Sequence, residues 1–138
     1  MKIIAKKLTE EEYSLWNDFV NKSSQGSFFC TTEWANLLSY TFDRQYEVIV
    51  LKDNDQIVAG MLTFVQKRLG YRMITPVALY PYSGPVMCDH PDKKYQKIIS
   101  YEMEYNSLLA EYLSHKFQFW MIQTPPDSID VRAFLWKN

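Results

Sequence analysis

Tyr46-Glu47-Val48-Ile49-Val50-Leu51-Lys52-Asp53-Asn54-Asp55-Gln56-Ile57-Val58-Ala59-Gly60-Met61-Leu62-Thr63-Phe64-Val65-Gln66-Lys67-Arg68-Leu69-Gly70-Tyr71 is the stretch on which the fold turns. From Tyr46 the pattern runs at period two, with Tyr46, Val48 and Val50 set against Glu47, Ile49 and Leu51, the spacing of a β-strand. Asp53-Asn54-Asp55 is a turn, a second strand is expected from Gln56 to about Gln66, and Lys67-Arg68-Leu69-Gly70 turns again into a third from Tyr71 to Leu79. Three consecutive strands with short links make an antiparallel meander. Pro76 interrupts the third strand. Because proline has no N–H for the ladder, it should mark an edge, a bulge or the point where the strand leaves its neighbour.

Upstream, residues 2 to 8 read as a short strand, followed by Thr9-Glu10-Glu11-Glu12, a capping box that starts a helix. Tyr13, Trp16, Phe19 and Val20 form its apolar face, and Ser23-Ser24-Gln25-Gly26-Ser27 ends it. A second helix starts at Thr31 or Thr32 and repeats Trp34, Leu37, Leu38 and Thr41 at helical spacing. Downstream, Tyr80-Pro81-Tyr82-Ser83-Gly84-Pro85 is a turn-rich loop, and Val86-Met87-Cys88 adds a brief extended piece. A long helix opening at Pro91 or Asp92 then carries Tyr95, Ile98, Ile99, Glu102, Leu109, Tyr112 and Leu113 up to about His115. Phe117 to Gln123 is apolar enough for a strand buried on both faces, Pro125-Pro126 closes it, and Asp127-Ser128-Ile129-Asp130 begins a last turn or helix. The expected class is α/β (α+β): strand, two helices, antiparallel three-strand meander, long helix, parallel strand, all in one domain spanning residues 1 to 138.

Composition narrows the function classes. The 138 residues are 47% hydrophobic and 22% charged with a net charge of -1, so no global basic field exists to hold nucleic acid, and no stable nucleic-acid binding is expected. Ten Tyr, eight Phe and four Trp supply either a bulky core or a groove lined with rings, and their helix and strand spacing places most of them in the core. No apolar run reaches the length of a transmembrane segment, and Met1 to Lys7 lacks the apolar stretch of a secretion signal. Cys30 and Cys88 have neither metal-ligand spacing nor a histidine at a recognisable distance along the chain, so a reducing cytoplasm is expected and a thiol nucleophile is not. No metal site and no Ser-His-Asp arrangement is readable. The chain stops on Phe134-Leu135-Trp136-Lys137-Asn138, three large apolar residues where a domain usually tapers, and truncation at the C-terminus is the expectation drawn from it.

In this order of elements, Trp16-Asn17-Asp18-Phe19-Val20, Gly26-Ser27-Phe28-Phe29, Glu33-Trp34-Ala35, Ile57-Val58-Ala59-Gly60, Lys67-Arg68-Leu69-Gly70, Tyr82-Ser83-Gly84-Pro85-Val86 and Asp130-Val131-Arg132-Ala133-Phe134-Leu135-Trp136 follow one another over almost the whole chain. Together they resemble the GNAT superfamily of acyltransferases, and within it the Fem-type branch of peptidoglycan bridge-forming aminoacyltransferases. The resemblance implies a GNAT-like N-terminal half domain of a bacterial cell-wall acyltransferase or aminoacyltransferase. It would align an amine acceptor with an activated acyl donor, either acyl-CoA or aminoacyl-tRNA, with no bound cofactor. It also implies a missing C-terminal part of the same chain, a lipid-linked or peptide acceptor, and a fragment inactive alone. If the final strands of the sheet are missing, the Phe117 to Gln123 strand is an open edge and a homodimer through it is expected.

One departure from the superfamily bears on the donor. Acyl-CoA-dependent enzymes of the GNAT superfamily, which the chain resembles, bind pyrophosphate on a glycine-rich turn before the long helix. Here that connection, Leu79 to Asp92, holds one glycine, Gly84, three prolines, and the acidic Asp89 and Asp92, which argues against conventional CoA binding. Two other classes stay open: a noncatalytic peptide- or carbohydrate-binding module, and a CoA-dependent N-acetyltransferase with a degenerate phosphate loop.

Candidate site residues follow from the elements. Tyr80, Tyr82, Ser83 and Gly84 stand where the third strand should diverge from the Phe117 strand, and either line a cleft or simply form a proline-fixed loop over the core. Lys67, Arg68 and Arg72 around the Gly70 turn either meet a substrate phosphate or are a solvated hairpin tip. His90 lies in a loop, and His115 suits the C-terminus of the long helix. Glu102, if buried, has the raised pKa of a general base, though a solvated position is the preferred reading. Asp130 and Arg132 are read as a local ion pair. No catalytic residue is assigned.

Overall fold

In the computed structural model, which describes residues 2–124 and 131–135, the meander is built on two tight turns with left-handed backbone at both central positions. Asn54 and Asp55 have φ of 51° and 68°, and Leu69 and Gly70 have φ of 53° and 83°. That geometry matches the twist of the flanking strands, which types of turn with negative φ would splay. Strand β2 (Gln45–Asp53) pairs antiparallel with β3 (Gln56–Arg68), and β3 with β4 (Tyr71–Ile74). The first strand, β1 (Ile3–Lys7), lies antiparallel on the outer side of β2.

A short strand, β5 (Val86–Met87), pairs with β3 at Ala59 and Gly60, beyond the end of β4. The long β3 is therefore lined on one side first by β4 and then by β5, and the chain between them leaves the sheet. The last strand, β6 (Phe119–Trp120), runs parallel to β4, with Met73 opposite Phe119 and Ile74 opposite Trp120. The strand order is β1-β2-β3-β4-β6, a mixed sheet with antiparallel strands and a parallel final strand, as expected.

Helices cover both faces. On one side lie α1 (Tyr13–Lys22) and α2 (Thr32–Phe42), and on the other α3 (Tyr95–Lys116) with the short α4 (Arg132–Leu135). Val48, Val50, Leu62 and Phe64 join Trp16, Val20, Ala35 and Leu38 in one core. Ile49, Leu51, Ala59 and Met61 join Leu109, Ala110, Leu113 and Phe134 in the other. The period-two pattern thus sorts residues between two cores rather than between core and water, and all four of Val48 to Leu51 are fully buried. Each such aliphatic side chain contributes about 1.5–3 kcal/mol by burial, which makes β2 the mechanical centre of the fold.

Several boundaries differ from expectation for identifiable reasons. The third strand ends at Ile74, not Leu79: the Thr75 amide makes a last bond to Phe64 O at 3.4 Å, and Pro76 has no N–H to continue. The strand expected over Phe117 to Gln123 is paired regularly only at Phe119 and Trp120, extended by Gln118 N–H to Arg72 O and Met121 N–H to Ile74 O, both at 3.0 Å. It is not buried on both faces, since Phe119 and Met121 are about half exposed. Helix α2 buries Thr32, Ala35 and Leu38 and leaves Leu37 exposed.

Helix α3 starts at Tyr95 rather than Pro91 or Asp92, because Lys93 N–H closes a separate turn onto His90 O. Its buried stripe is Glu102, Tyr105, Asn106, Leu109, Ala110 and Leu113, while Tyr95 is exposed. At the start of the chain Glu12 reaches back as expected, accepting from the Thr9 amide at 3.2 Å and the Thr9 hydroxyl at 3.1 Å. Pro125-Pro126, the turn at Asp127 to Asp130, and Trp136 to Asn138 lie outside the described residues. No helix among the described residues is long and apolar enough to cross a membrane.

Candidate functional site at the parting of two parallel strands

Two parallel strands joined at Met73–Phe119 and Ile74–Trp120 separate as soon as Pro76 turns the chain away. The excursion that follows is anchored at its middle and its far end. Tyr80 points inward, 4% exposed, its hydroxyl donating to Leu62 O at 2.6 Å and its ring edge-on to Phe64 at 5.1 Å. Burial pushes its phenol well above the usual tyrosine range, so the hydroxyl stays protonated and remains a donor. At the far end the Gln123 amide donates to Ser83 Oγ at 3.0 Å, and the Gly84 amide donates to Gln123 O at 2.8 Å. A Cβ on Gly84 would stand 2.7 Å from Thr124 Cα, so only glycine permits this approach.

Ahead of the first anchor, at Ala78 and Leu79, the chain stands off the sheet. Leu79 has φ of 65° and is 68% exposed, an unusual backbone state for a branched residue, and Trp34 Nε1 holds it by donating to Leu79 O at 2.9 Å. Among the described residues the amides of Ala78 and Leu79 have no hydrogen-bond acceptor. Phe29, Trp34, Pro76, Leu79, Pro81 and Gln123 line the groove there, with a volume of about 570 Å³. Phe28, Phe29 and Trp34 form a ring cluster at its rim, with centroids 5.6–6.4 Å apart.

Each residue named from the sequence has a definite place. Tyr80, Ser83 and Gly84 belong to the framework, and Tyr82 is half-buried beside them. Lys67 and Arg68 are exposed at the hairpin, but Arg72 does not join them toward a ligand: its guanidinium pairs with Glu47 and lies 4.7 Å over the Phe117 ring. Glu102 is 2% exposed, which corrects the solvated reading; the stripe of α3 turns far enough to bury it. His115 is exposed in the last turn of α3. Arg132 is on α4, and Asp130, read as its partner, is outside the described residues.

The connection before α3 is not a phosphate cradle. The Met87 amide donates to Gln25 Oε1 at 2.9 Å and the Cys88 amide to Val58 O at 2.8 Å, so these donors, like that of Gly84, already have partners. Asp89 faces the loop after α1, accepting from the Ser24 amide and from the Ser24 hydroxyl at 2.6 Å. No group of three His, Cys, Asp or Glu able to hold a metal occurs among the described residues.

Sequence reasoning missed two features. The Phe29–Trp34–Leu79 groove joins α2 to a loop 45 positions away, and no local pattern announces it. The second is Cys88 Sγ, which lies 3.5 Å from His90 Nε2, although no histidine partner was expected for either cysteine. The signal was present, because residues two apart in extended backbone share a face.

No protein-family model matches the chain, and no curated protein matches it. Among solved structures, a ribosomal-protein-alanine N-acetyltransferase from Brucella melitensis is 14% identical, with a TM-score of 0.49, covering 96% of this chain and 86% of that one. A GNAT family acetyltransferase from Staphylococcus aureus is 13% identical, with a TM-score of 0.45, covering 95% of this chain and 93% of that one. At that level neither likeness carries an argument, and the architecture rests on its own strand order and register.

Proposed function

We propose that the chain is a GNAT-like domain of an acyl or aminoacyl transferase of the Fem type, in which the groove beside Leu79 sets an activated acyl group against an amine acceptor. The observation that carries this reading is the parting of β4 from β6, with the Ala78 and Leu79 amides unclaimed among the described residues beside apolar walls. Donors on the wall of an apolar groove, with no partner to give up, are what a carbonyl oxygen needs as it gains charge. The rest of the rate comes from position. The amine attacks the acyl carbon, the leaving oxygen or sulfur departs, and the groove supplies the alignment.

The partnered amides of Gly84, Met87 and Cys88, together with Asp89, favour a donor that does not need a pyrophosphate cradle at α3, hence aminoacyl-tRNA over acyl-CoA. The acceptor is the amine of a lipid-linked or peptide cell-wall precursor, and the setting is the cytoplasm. Calorimetry with acetyl-CoA, paired with transfer of a labelled amino acid from charged tRNA to such a precursor, tests the reading. No heat with acetyl-CoA is the expected result, with transfer from charged tRNA by the full-length protein and none by residues 1 to 138 alone. Micromolar acetyl-CoA binding would replace it with the CoA-dependent N-acetyltransferase.

The exposed rings of Phe28 and Phe29 against the half-buried Trp34 favour one second reading, a noncatalytic module that holds a peptide or carbohydrate against aromatic faces. Trp34→Ala separates the two. Loss of ligand binding in a protein that never shows transfer selects the module.

A further inference from the structure

On the opposite side of the sheet, under α3, lies a cavity of about 330 Å³ lined by Gln25, Cys88, His90, Tyr101, Glu102 and Tyr105. We propose that Cys88 and His90 are a nucleophilic pair in this cavity that takes an acyl group from a small thioester. The inference stands apart from the groove at Leu79 and does not depend on how that groove is read.

Placement carries it. The Cys88 amide is tied to Val58 O at 2.8 Å, immediately after the β5 pairing, so the Cα of the nucleophile sits on the sheet rather than on a loose loop. Asp89, next in the chain, is held by the Ser24 amide and hydroxyl, which fixes the direction in which the backbone continues to His90. The His90 ring is then stacked flat on Tyr101, centroids 4.2 Å apart at 18°, with Nε2 3.5 Å from Cys88 Sγ. A thiol and an imidazole at that separation, one of them locked by stacking, are within reach of proton transfer.

The charge states agree with a neutral pair rather than a resting thiolate. Burial pushes the Cys88 thiol up, with the Tyr105 hydroxyl partly offsetting it, and burial followed by Lys93 pushes the His90 imidazole down. His90 is therefore a free base at neutral pH, and the proton moves only when an electrophile is present. Cys88 Sγ bonds the acyl carbon, its proton passes to His90 Nε2, the donor C–S bond breaks, and the proton leaves with the departing thiolate. Nothing is oxidised or reduced, and the product is an acyl-Cys88 thioester with a free thiol. The groups facing the pair are Asp89 and Lys93 on its own loop, Tyr101, Glu102 and Tyr105 on α3, and Ser24 and Gln25 from the loop after α1.

The test is acetylation by S-acetyl-N-acetylcysteamine, followed by intact mass and peptide mapping. One acetyl group on Cys88 is expected, with none on Cys30, which is 3% exposed and serves as an internal control. Cys88→Ala should abolish the adduct. His90→Gln, which keeps a planar side chain against Tyr101, should slow its formation about 10²-fold. In the wild type the rate should rise as pH passes the lowered His90 pKa and then level through neutrality. The inference is overturned if Cys88 stays unmodified, if Cys30 reacts equally, if His90→Gln reacts at the wild-type rate, or if the rate climbs steadily with pH across the neutral range.

Discussion

At Ala78 and Leu79 the backbone stands off the sheet, with two amides unclaimed among the described residues and a leucine in left-handed conformation. From Tyr80 to Cys88 the same connection is tied to Leu62, Gln123, Gln25 and Val58. The first half, Pro76-Val77-Ala78-Leu79, is apolar with one proline, and the second holds Tyr82, Ser83, Gly84 and two prolines, but composition alone does not supply hydrogen-bond partners. What separates them is neighbours: the second half runs beside β3 and the chain after β6, which offer hydrogen-bond partners, while the first half crosses the gap that opens when β4 and β6 part. A turn-rich segment becomes a strut where a strand edge lies beside it and a groove wall where none does.

The largest test of this contrast is Gly84→Ala. The new methyl would meet Thr124 Cα at 2.7 Å and Gln123 O at 3.0 Å, both backbone, so a loss of about 3 kcal/mol is expected in urea unfolding. A loss below about 0.5 kcal/mol would mean that the strut is not tight and the two halves are alike.

Tyr80→Phe comes next, at about 2 kcal/mol, because it leaves the buried Leu62 carbonyl without its donor. This variant has a pH signature. The folded protein holds the Tyr80 phenol above its ordinary value of 10.0, so the stabilisation is complete below that pH and is lost as pH rises toward the folded value. Alkaline melts should fall less steeply for Tyr80→Phe than for the wild type, and identical slopes would contradict the assignment.

Ser83→Ala removes the acceptor for the Gln123 amide and should cost about 1 kcal/mol. Smallest, and opposite in sign, is Leu79→Gly in the open half. Left-handed backbone costs a non-glycine residue about 1–2 kcal/mol, while glycine adds about 0.5–1 kcal/mol of unfolded-state entropy, so a gain of about 0.5 kcal/mol is expected. A loss of stability would show that the Leu79 side chain braces the loop and that the first half is also a strut.

Much of the scaffold was legible from local chemistry. Asn54-Asp55 and Leu69-Gly70 bracket apolar runs of strand length, Thr9 with Glu12 caps the 3-10 turn Glu10–Glu12 that leads into the first helix, and Pro76 marks where pairing stops. The candidate site was less so. Tyr80, Ser83 and Gly84 were recognised as lying where two strands diverge, but whether each faced the gap or closed it depended on Leu62 and Gln123, which are distant in sequence. Arg72 likewise looked free at a hairpin tip until Glu47 came alongside it. The strand after α3 was judged buried from its apolar run, yet an apolar run is equally compatible with an edge whose outer side is open.

Sequence alone determined the meander, the helices and their order, because turn conformation, capping and hydrophobic period are set by residues within a few positions of one another. Only the tertiary structure decided which amides remain unclaimed beside Leu79 and that Cys88 meets His90. Those outcomes depend on whether a partner arrives from elsewhere in the chain, and on which face of the sheet an extended segment comes to rest.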